Sequence, residues 1–159
     1  MVELREISTE NFEECISLSL TEEQRKFMAP NAYSLAEAYA LQNEGKYAPL
    51  PYAIYSGETM VGFIMAVYQP KDADDPEDET VFYLSRMMID RRYQGKGHGK
   101  KALSKMIQIL KSFCSSADAV VLSCSRENAA AYKLYRSFGF KDTGEYDDAG
   151  DVYCRLDLK

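Results

Sequence analysis

Apolar and polar residues alternate in several short stretches of the chain, which is the pattern of strands that bury one face. With turn-forming residues between them, these stretches predict strands over residues 2–7, 50–55, 59–68, 80–89, 117–125, 140–146 and 152–158. Ser56-Gly57-Glu58 separates the second and third of them and has the composition of a tight turn. We therefore expect those two strands to form a hairpin.

Other stretches repeat apolar residues every three or four positions, as amphipathic helices do. They predict helices over residues 11–20, 96–114 and 128–138, and one or two helices over 21–42. Pro30-Asn31 is expected to interrupt the last stretch, with Ser34 as a second cap, while Ser8-Thr9 is expected to cap the first helix. No repeat or proline-rich linker divides the chain. We interpret residues 1–159 as a single α/β domain with a mixed sheet.

Composition narrows the function classes. The chain has 159 residues, of which 46% are apolar and 28% charged, as is ordinary for a globular protein. The 25 acidic residues outnumber the 19 basic ones, so the net charge of -6 argues against binding to nucleic acid. The apolar runs are too short to cross a membrane, and the N-terminus lacks the apolar stretch of a signal peptide. We expect a cytoplasmic protein that binds neither nucleic acid nor membrane.

The cysteine and histidine residues argue against metal sites, disulfides and a histidine-based relay. Cys15, Cys114, Cys124 and Cys154 are dispersed and form no CxxC pair, so neither a zinc site nor a disulfide framework is expected. His98 is the single histidine, which disfavours a metal site and a histidine-based relay. The sequence leaves the oligomeric state open, including a homodimer.

The most informative segment lies between a predicted strand and a long predicted helix. It reads Arg92-Tyr93-Gln94-Gly95-Lys96-Gly97-His98-Gly99-Lys100. Glycines let backbone amides converge on an anion, and the helix N-terminus adds partial positive charge. The spacing fits neither the P-loop of nucleoside triphosphatases nor a dinucleotide-binding fingerprint. Counted from Gly95, the P-loop needs a glycine at the position of Lys100, and the fingerprint needs a glycine or alanine there.

The spacing that does fit is Gln94-x-x-Gly97-x-Gly99, which resembles the acyl-CoA motif of the GNAT superfamily of N-acetyltransferases. Asn128, Tyr135 and Gly139-Phe140 further along resemble the second signature of that family. The resemblance covers the chain from about Thr80 to its end. It implies a mixed, mostly antiparallel, twisted sheet flanked by helices, and an enzyme that uses acetyl-CoA as cosubstrate without a metal.

The resemblance also implies roles for individual residues. Tyr135 matches the proposed general acid, and Asn128 is expected to contact the pantetheine arm of CoA. An ordinary tyrosine has a pKa of about 10 and can donate a proton to a departing thiolate. The remaining residues implied to bind the cofactor are Met87, Met88 and Ile89, which pair with pantetheine, and Gln94, Gly95, Lys96, Gly97, His98, Gly99 and Lys100, which surround the pyrophosphate.

Within the superfamily, residues 90–97 look most like bacterial spermine/spermidine acetyltransferases. This favours a primary amine as substrate, in particular a polyamine such as spermidine or spermine, and direct transfer in a ternary complex. Acetylation of another small amine, an aminoglycoside or a protein N-terminus stays open, as does a module that binds acyl-CoA without turnover.

The general base is not evident from the sequence. Related polyamine enzymes often carry an acid at the position of Ser85, and serine cannot act as a base at neutral pH. A chain of water molecules that ends at Glu22, Glu23 or Glu37 is the expected alternative.

An acidic segment is the last feature of note. Six acids lie between Asp72 and Glu79, just before the strand expected to pair with pantetheine. We expect an exposed loop that lies near the substrate entrance and attracts a polyamine; the alternative is a loop that only adds solubility.

Overall fold

The computed structural model describes residues 1–159. The elements in chain order are β1 (Val2–Glu6), α1 (Phe12–Ser17), a 3-10 helix (Gln24–Phe27), α2 (Asn31–Glu44), β2 (Ala48–Ser56), β3 (Thr59–Gln69), β4 (Val81–Ile89), a second 3-10 helix (Arg91–Tyr93), α3 (His98–Phe113), β5 (Ala119–Cys124), α4 (Ala129–Phe138), β6 (Lys141–Tyr146) and β7 (Val152–Asp157). All seven strands form one sheet in the order β1-β2-β3-β4-β5-β7-β6. Only β4 and β5 pair in parallel. The predicted fold class, a mixed and mostly antiparallel sheet flanked by helices, is confirmed.

The helices differ from the prediction mainly before the first hairpin. The first helix is shorter than expected, because Leu18 is already extended. Neither Ser8 nor Thr9 caps it; Asn11 is its N-cap residue. The predicted cap at Ser34 is wrong as well, since α2 begins at Asn31 and Ser34 is buried inside it. Pro30 precedes that helix in an extended conformation, as proline favours at a helix start.

The sheet has a packed core on each face. On one face, α3 buries Ala102, Leu103, Met106 and Leu110 in a cluster that also holds Tyr135 of α4. On the other face, α1 and α2 cover β2 and β3 in a smaller cluster. None of the helices is long and apolar enough to cross a lipid bilayer.

A bulge in β4 changes which face its side chains point to. Met65 of β3 lies opposite Arg86, but the next residue, Ala66, lies opposite Leu84, so Ser85 is the extra residue. Leu84 before the bulge and Met87 after it both contact the α3 core, although an odd number of positions separates them. Arg86 and Met88 consequently point to the face covered by α1 and α2.

Strands β4 and β5 separate just before the bulge. They pair only between residues 81–83 and 119–121, although β4 continues to Ile89 and β5 to Cys124. The edge of β4 from Leu84 onwards therefore has no neighbouring strand on that side. Its backbone amides and carbonyls can bond to another extended chain.

Beyond the bulge, β3 and β4 come into close contact at Gly62. A Cβ atom at this position would lie inside contact distance of the Met88 carbonyl oxygen, so Gly62→Ala should lower the free energy of unfolding by about 1–3 kcal/mol. Gly99→Ala is the matched control, because its Cβ would make ordinary contacts with Leu134 at 3.7 Å and Ile89 at 3.8 Å. Urea unfolding measures both. Equal loss of stability in the two variants would contradict the close approach.

Candidate active site

A cavity of about 300 Å³, which we call the splay cleft, lies at the end of β4 that does not pair with β5. One wall is the free end of β4, one is α4, and the glycine turn before α3 closes one end. Its lining comprises Leu20, Gln24, Phe27, Met28, Met87, Met88, Ile89, Tyr93, Gln94, Gly95, Gly97, His98, Gly99, Asn128, Ala130, Ala131 and Leu134. The cleft thus combines an open strand edge with a helix N-terminus.

The structure brings together most of the residues predicted to bind the cofactor. Lys96 and Lys100 are the exceptions, because both are exposed and neither lines the cleft. Residues 20–28 also contribute to the cleft, which they cover from the other side, and no pattern in the sequence predicted this. Met28 and Phe27 come from this segment, whose irregular pattern carries no motif.

Asp90 fixes the start of the glycine turn. Its buried carboxylate accepts hydrogen bonds from the backbone N–H groups of Ser19 and Arg92 and from Nε of Arg92, at 2.8–3.0 Å. Hydrogen bonds to the charged form lower the pKa of Asp90 in spite of its burial, so the carboxylate stays ionised. This single side chain ties β4, the segment after α1 and the turn together.

The turn directs unpaired amides towards the cleft. Gly95 and Gly97 adopt φ angles of 77° and 82°, a conformation that other residues rarely adopt. Gly97 is the N-cap residue of α3, and the amides of the next three residues donate to no backbone carbonyl. Convergent N–H groups at the start of a 16-residue helix form a site for phosphate oxygens.

His98 is the first residue of that helix and lines the splay cleft. Its Nδ1 is buried without a hydrogen-bond partner. Burial lowers the pKa of His98, and Lys101 and Lys96 lower it further. The imidazole is therefore neutral near pH 7.

Gln94 has a structural role that the motif alone did not indicate. Its Nε2 donates to the Ile89 carbonyl and to Oε1 of Gln24, both at 2.9 Å, and Nε2 of Gln24 donates back at 3.1 Å. Gln94 thus links the glycine turn to the 3-10 helix across the cleft.

A second cavity, which we call the side cavity, has a volume of about 440 Å³ and shares Phe27, Met28 and Met87 with the splay cleft. Its remaining wall holds two carboxylates and four tyrosines beside Arg86 and several apolar and small polar side chains. The carboxylates and tyrosines are Glu37, Asp151, Tyr33, Tyr47, Tyr83 and Tyr135. The two cavities meet at β4 just beyond the bulge.

Tyr135 lines the side cavity, while Asn128 at the start of the same helix lines the splay cleft. The Tyr135 ring packs edge to face on Phe140, with centroids 5.7 Å apart. Its hydroxyl makes no hydrogen bond within the chain and is not fully enclosed by protein atoms. Burial raises the pKa of Tyr135, so the phenol stays protonated and can donate.

Exposure and position relative to the side cavity distinguish the candidate bases, which the sequence could not rank. Glu37 is half-buried and lines this cavity, whereas Glu22 and Glu23 are exposed and line neither cavity. Asp151, between β6 and β7, lines it too, and burial together with the neighbouring Asp147 raises its pKa. Ser85 lines the same wall and donates to the Met65 carbonyl at 3.3 Å.

The acidic loop makes no contact with these cavities. All residues of 72–79 are exposed and none lines the splay cleft or the side cavity. Asp72, Asp75 and Asp78 accept hydrogen bonds from backbone amides within the loop. Glu79 forms a bidentate pair with Arg155 at 2.7 Å. These contacts explain the loop conformation without a substrate.

Comparison with solved structures supports the fold. An aminoglycoside acetyltransferase, AAC(6')-Ib, in complex with coenzyme A matches with a TM-score of 0.76 at 15% identity, over 99% of this chain and 95% of that one. A spermidine N-acetyltransferase from Vibrio cholerae in complex with CoA and spermine matches with a TM-score of 0.69 at 12% identity, over 99% and 95%.

Comparison of sequences identifies the family as well as the fold. Spermine/spermidine N(1)-acetyltransferase from Bacillus subtilis (strain 168) is 31% identical over 150 residues, which cover 94% of each chain. The family model of the acetyltransferase (GNAT) family matches residues 2–140. The matched residues include the strand edge, the glycine turn and the helix that carries Tyr135, so the comparison and the geometry of the cleft agree: this chain belongs to the acetyltransferase (GNAT) family.

Proposed function

We propose that this protein transfers the acetyl group of acetyl-CoA to a primary amine of a polyamine such as spermidine or spermine. The observation that carries the proposal is the junction of two cavities at β4. One has the phosphate-binding turn and the open strand edge, and the other has carboxylates and aromatic rings. The Bacillus subtilis relative, named for spermine and spermidine, supports the choice of acceptor.

The splay cleft suits acetyl-CoA. The amides after Gly97 bind the pyrophosphate, and the free edge of β4 at Met87 and Met88 pairs with the pantetheine arm as a strand would. Neutral His98 contributes a ring nitrogen beside the phosphates without adding charge. Asn128, across the cleft, contacts the pantetheine amides.

Transfer in this site needs no covalent enzyme intermediate. Neither cavity is lined by a cysteine, so the amine attacks the thioester directly. The amine nitrogen bonds to the acetyl carbon while the carbon–sulfur bond breaks. Tyr135 donates a proton to the departing sulfur and regains one from solvent.

The amine must lose a proton before it attacks. An alkylammonium with a pKa of about 10 is neutral only about once in a thousand molecules at pH 7. Glu37 and Asp151 accept this proton through water, because Ser85 cannot do so. The raised pKa of Asp151 brings it nearer the working pH than an exposed aspartate.

The same carboxylates favour an acceptor with more than one positive charge. Tyr33, Tyr47 and Tyr83 line the same cavity as these carboxylates. Aromatic rings and carboxylates together attract alkylammonium groups. When one amine of a polyamine lies at the thioester, a second amine can therefore contact the carboxylates and tyrosines of the side cavity.

Replacement of Gly97 by valine should weaken CoA binding by about tenfold or more, because the new side chain stands at the pyrophosphate site. Calorimetry with CoA measures this. Gly57→Val is the matched control: Gly57 also has a positive φ, of 63°, and open space around it, but lies in the β2–β3 turn. Each variant should lose about 1–2 kcal/mol of stability. Unchanged CoA affinity in folded Gly97→Val would refute the assignment.

Tyr135→Phe should retain CoA affinity and lose turnover by roughly ten- to ten-thousand-fold, since only the proton donor is removed. Release of the CoA thiol measures turnover. Tyr132→Phe is the control on the same helix, because its hydroxyl bonds to Asp142 and the residue lines neither cavity. Full turnover in Tyr135→Phe would exclude the role of general acid.

The double variant Glu37→Gln/Asp151→Asn should lower kcat, because both carboxylates accept the amine proton, and should raise the KM for spermidine by about tenfold. The KM for acetyl-CoA should change little. The control neutralises Asp74, Asp75, Glu77 and Asp78, which removes more charge from a loop that touches neither cavity. A larger effect of the loop variant, abolished by salt, would mean that long-range attraction by the loop dominates over contact in the side cavity.

A further inference from the structure

Arg86 is a buried cation that no carboxylate neutralises. It is 4% exposed and forms no ion pair. Nε and Nη2 donate to the neutral Oδ1 of Asn31, at 3.3 and 2.9 Å. Nη1 has no acceptor in the chain, yet it is not fully enclosed by protein atoms. Since the residue is almost fully buried, this nitrogen faces an internal space.

That space includes a third cavity, of about 220 Å³, which we call the arginine cavity. It lies between the segment from α1 to α2, the first residue of α2 and β4. Arg25 from the 3-10 helix lines it as well and forms no ion pair. No acidic residue lines it. The amides of Asn31 and Ala32, at the start of a 14-residue helix, donate to no backbone carbonyl. Two guanidinium groups and a helix N-terminus thus surround one small space.

A buried charge without a counterion is strongly unfavourable, as the pKa of Arg86, lowered to about 10 by burial, illustrates. If Arg86 served only to hold Asn31 in place, an uncharged hydrogen-bond donor would be sufficient. Asn31 is also held by its own Nδ2, which donates to the Cys15 carbonyl at 2.9 Å. A planar anion that accepts one hydrogen bond from Nη1 and one from the second N–H of Nη2 matches this arrangement. That geometry is typical of a carboxylate.

The arginine cavity adjoins the place where acyl donor and acceptor meet. It shares Met28, Ala29 and Arg86 with the side cavity, and Leu20, Met28 and Met88 with the splay cleft. An anion in it is therefore within reach of both reactants. A simple polyamine and an acetyl group offer no anion to Arg86.

We infer that Arg86, Asn31 and Arg25 bind a carboxylate that is carried by one of the two reactants. This inference rests on the proposed acyl transfer to an amine. It specifies the substrate class by replacing either the polyamine or the acetyl group with a counterpart that carries a carboxylate. In the first arrangement, the acceptor is an amino acid whose carboxylate binds Arg86 and whose cationic side chain points to Glu37 and Asp151. In the second, the donor is a dicarboxylic acyl-CoA whose terminal carboxylate binds Arg86. In both, the same bonds form and break as in acetyl transfer.

Two matched pairs of substrates test the carboxylate. Ornithine differs from putrescine by a carboxylate, and succinyl-CoA differs from butyryl-CoA by a terminal carboxylate in place of a methyl group. The wild-type protein should show a kcat/KM at least about tenfold higher for the carboxylate member of one pair. A preference for ornithine identifies the acceptor as the carrier, and a preference for succinyl-CoA identifies the donor.

Arg86→Met should abolish that preference while the reaction of putrescine with acetyl-CoA continues. Arg25→Gln changes an exposed side chain, so this variant should keep the fold even if an Arg86 variant fails to fold. The Arg25→Gln variant should reduce the preference for the carboxylate substrate by about threefold or more. The inference is overturned by a wild-type protein without preference in either pair, or by a preference that persists in Arg86→Met or in Arg25→Gln. Turnover of putrescine with acetyl-CoA reports on the proposed function alone, so the two failures are distinguishable.

Discussion

The separation of β4 from β5 is the constraint on which the rest of the molecule depends. A central strand normally bonds to both neighbours along its length, and an unpaired buried strand edge is costly. Here β4 has no partner strand on one side after residue 83, and a ligand-sized cavity lies along part of that unpaired edge. The bulge at Ser85 lies two residues beyond the last β4–β5 pair, at Tyr83, so the irregularity and the separation occur at the same place in the strand.

The same bulge distributes chemistry between the two faces of the sheet. Because it shifts the alternation by one residue, Met87 and Ile89 join the core under α3, while Arg86 and Met88 point towards α1 and α2. A regular strand would have placed Arg86 in the apolar core formed with Phe82 and Leu84. The cavities that meet at β4 thus follow from one inserted residue.

Local features were predictable from the sequence, and long-range ones were not. The glycine turn and α3 follow from neighbouring residues, so their positions agree with the prediction. Gln24 and Gln94 lie 70 residues apart, and Asp151 reaches the side cavity only because β7 pairs with β5. The bulge did leave a signal: the apolar spacing changes from even to odd between Leu84 and Met87. The cap at Ser34 failed because Pro30 starts the helix one turn earlier.

Met28 lies in the wall of the splay cleft, the side cavity and the arginine cavity alike. It belongs to a segment that is held to the glycine turn by the paired amides of Gln24 and Gln94 and to β4 by Asp90. A ligand in any one cavity therefore contacts a side chain that also lines the other two. By linkage, whatever free energy the donor gains from that shared side chain when the acceptor is bound, the acceptor gains equally when the donor is bound.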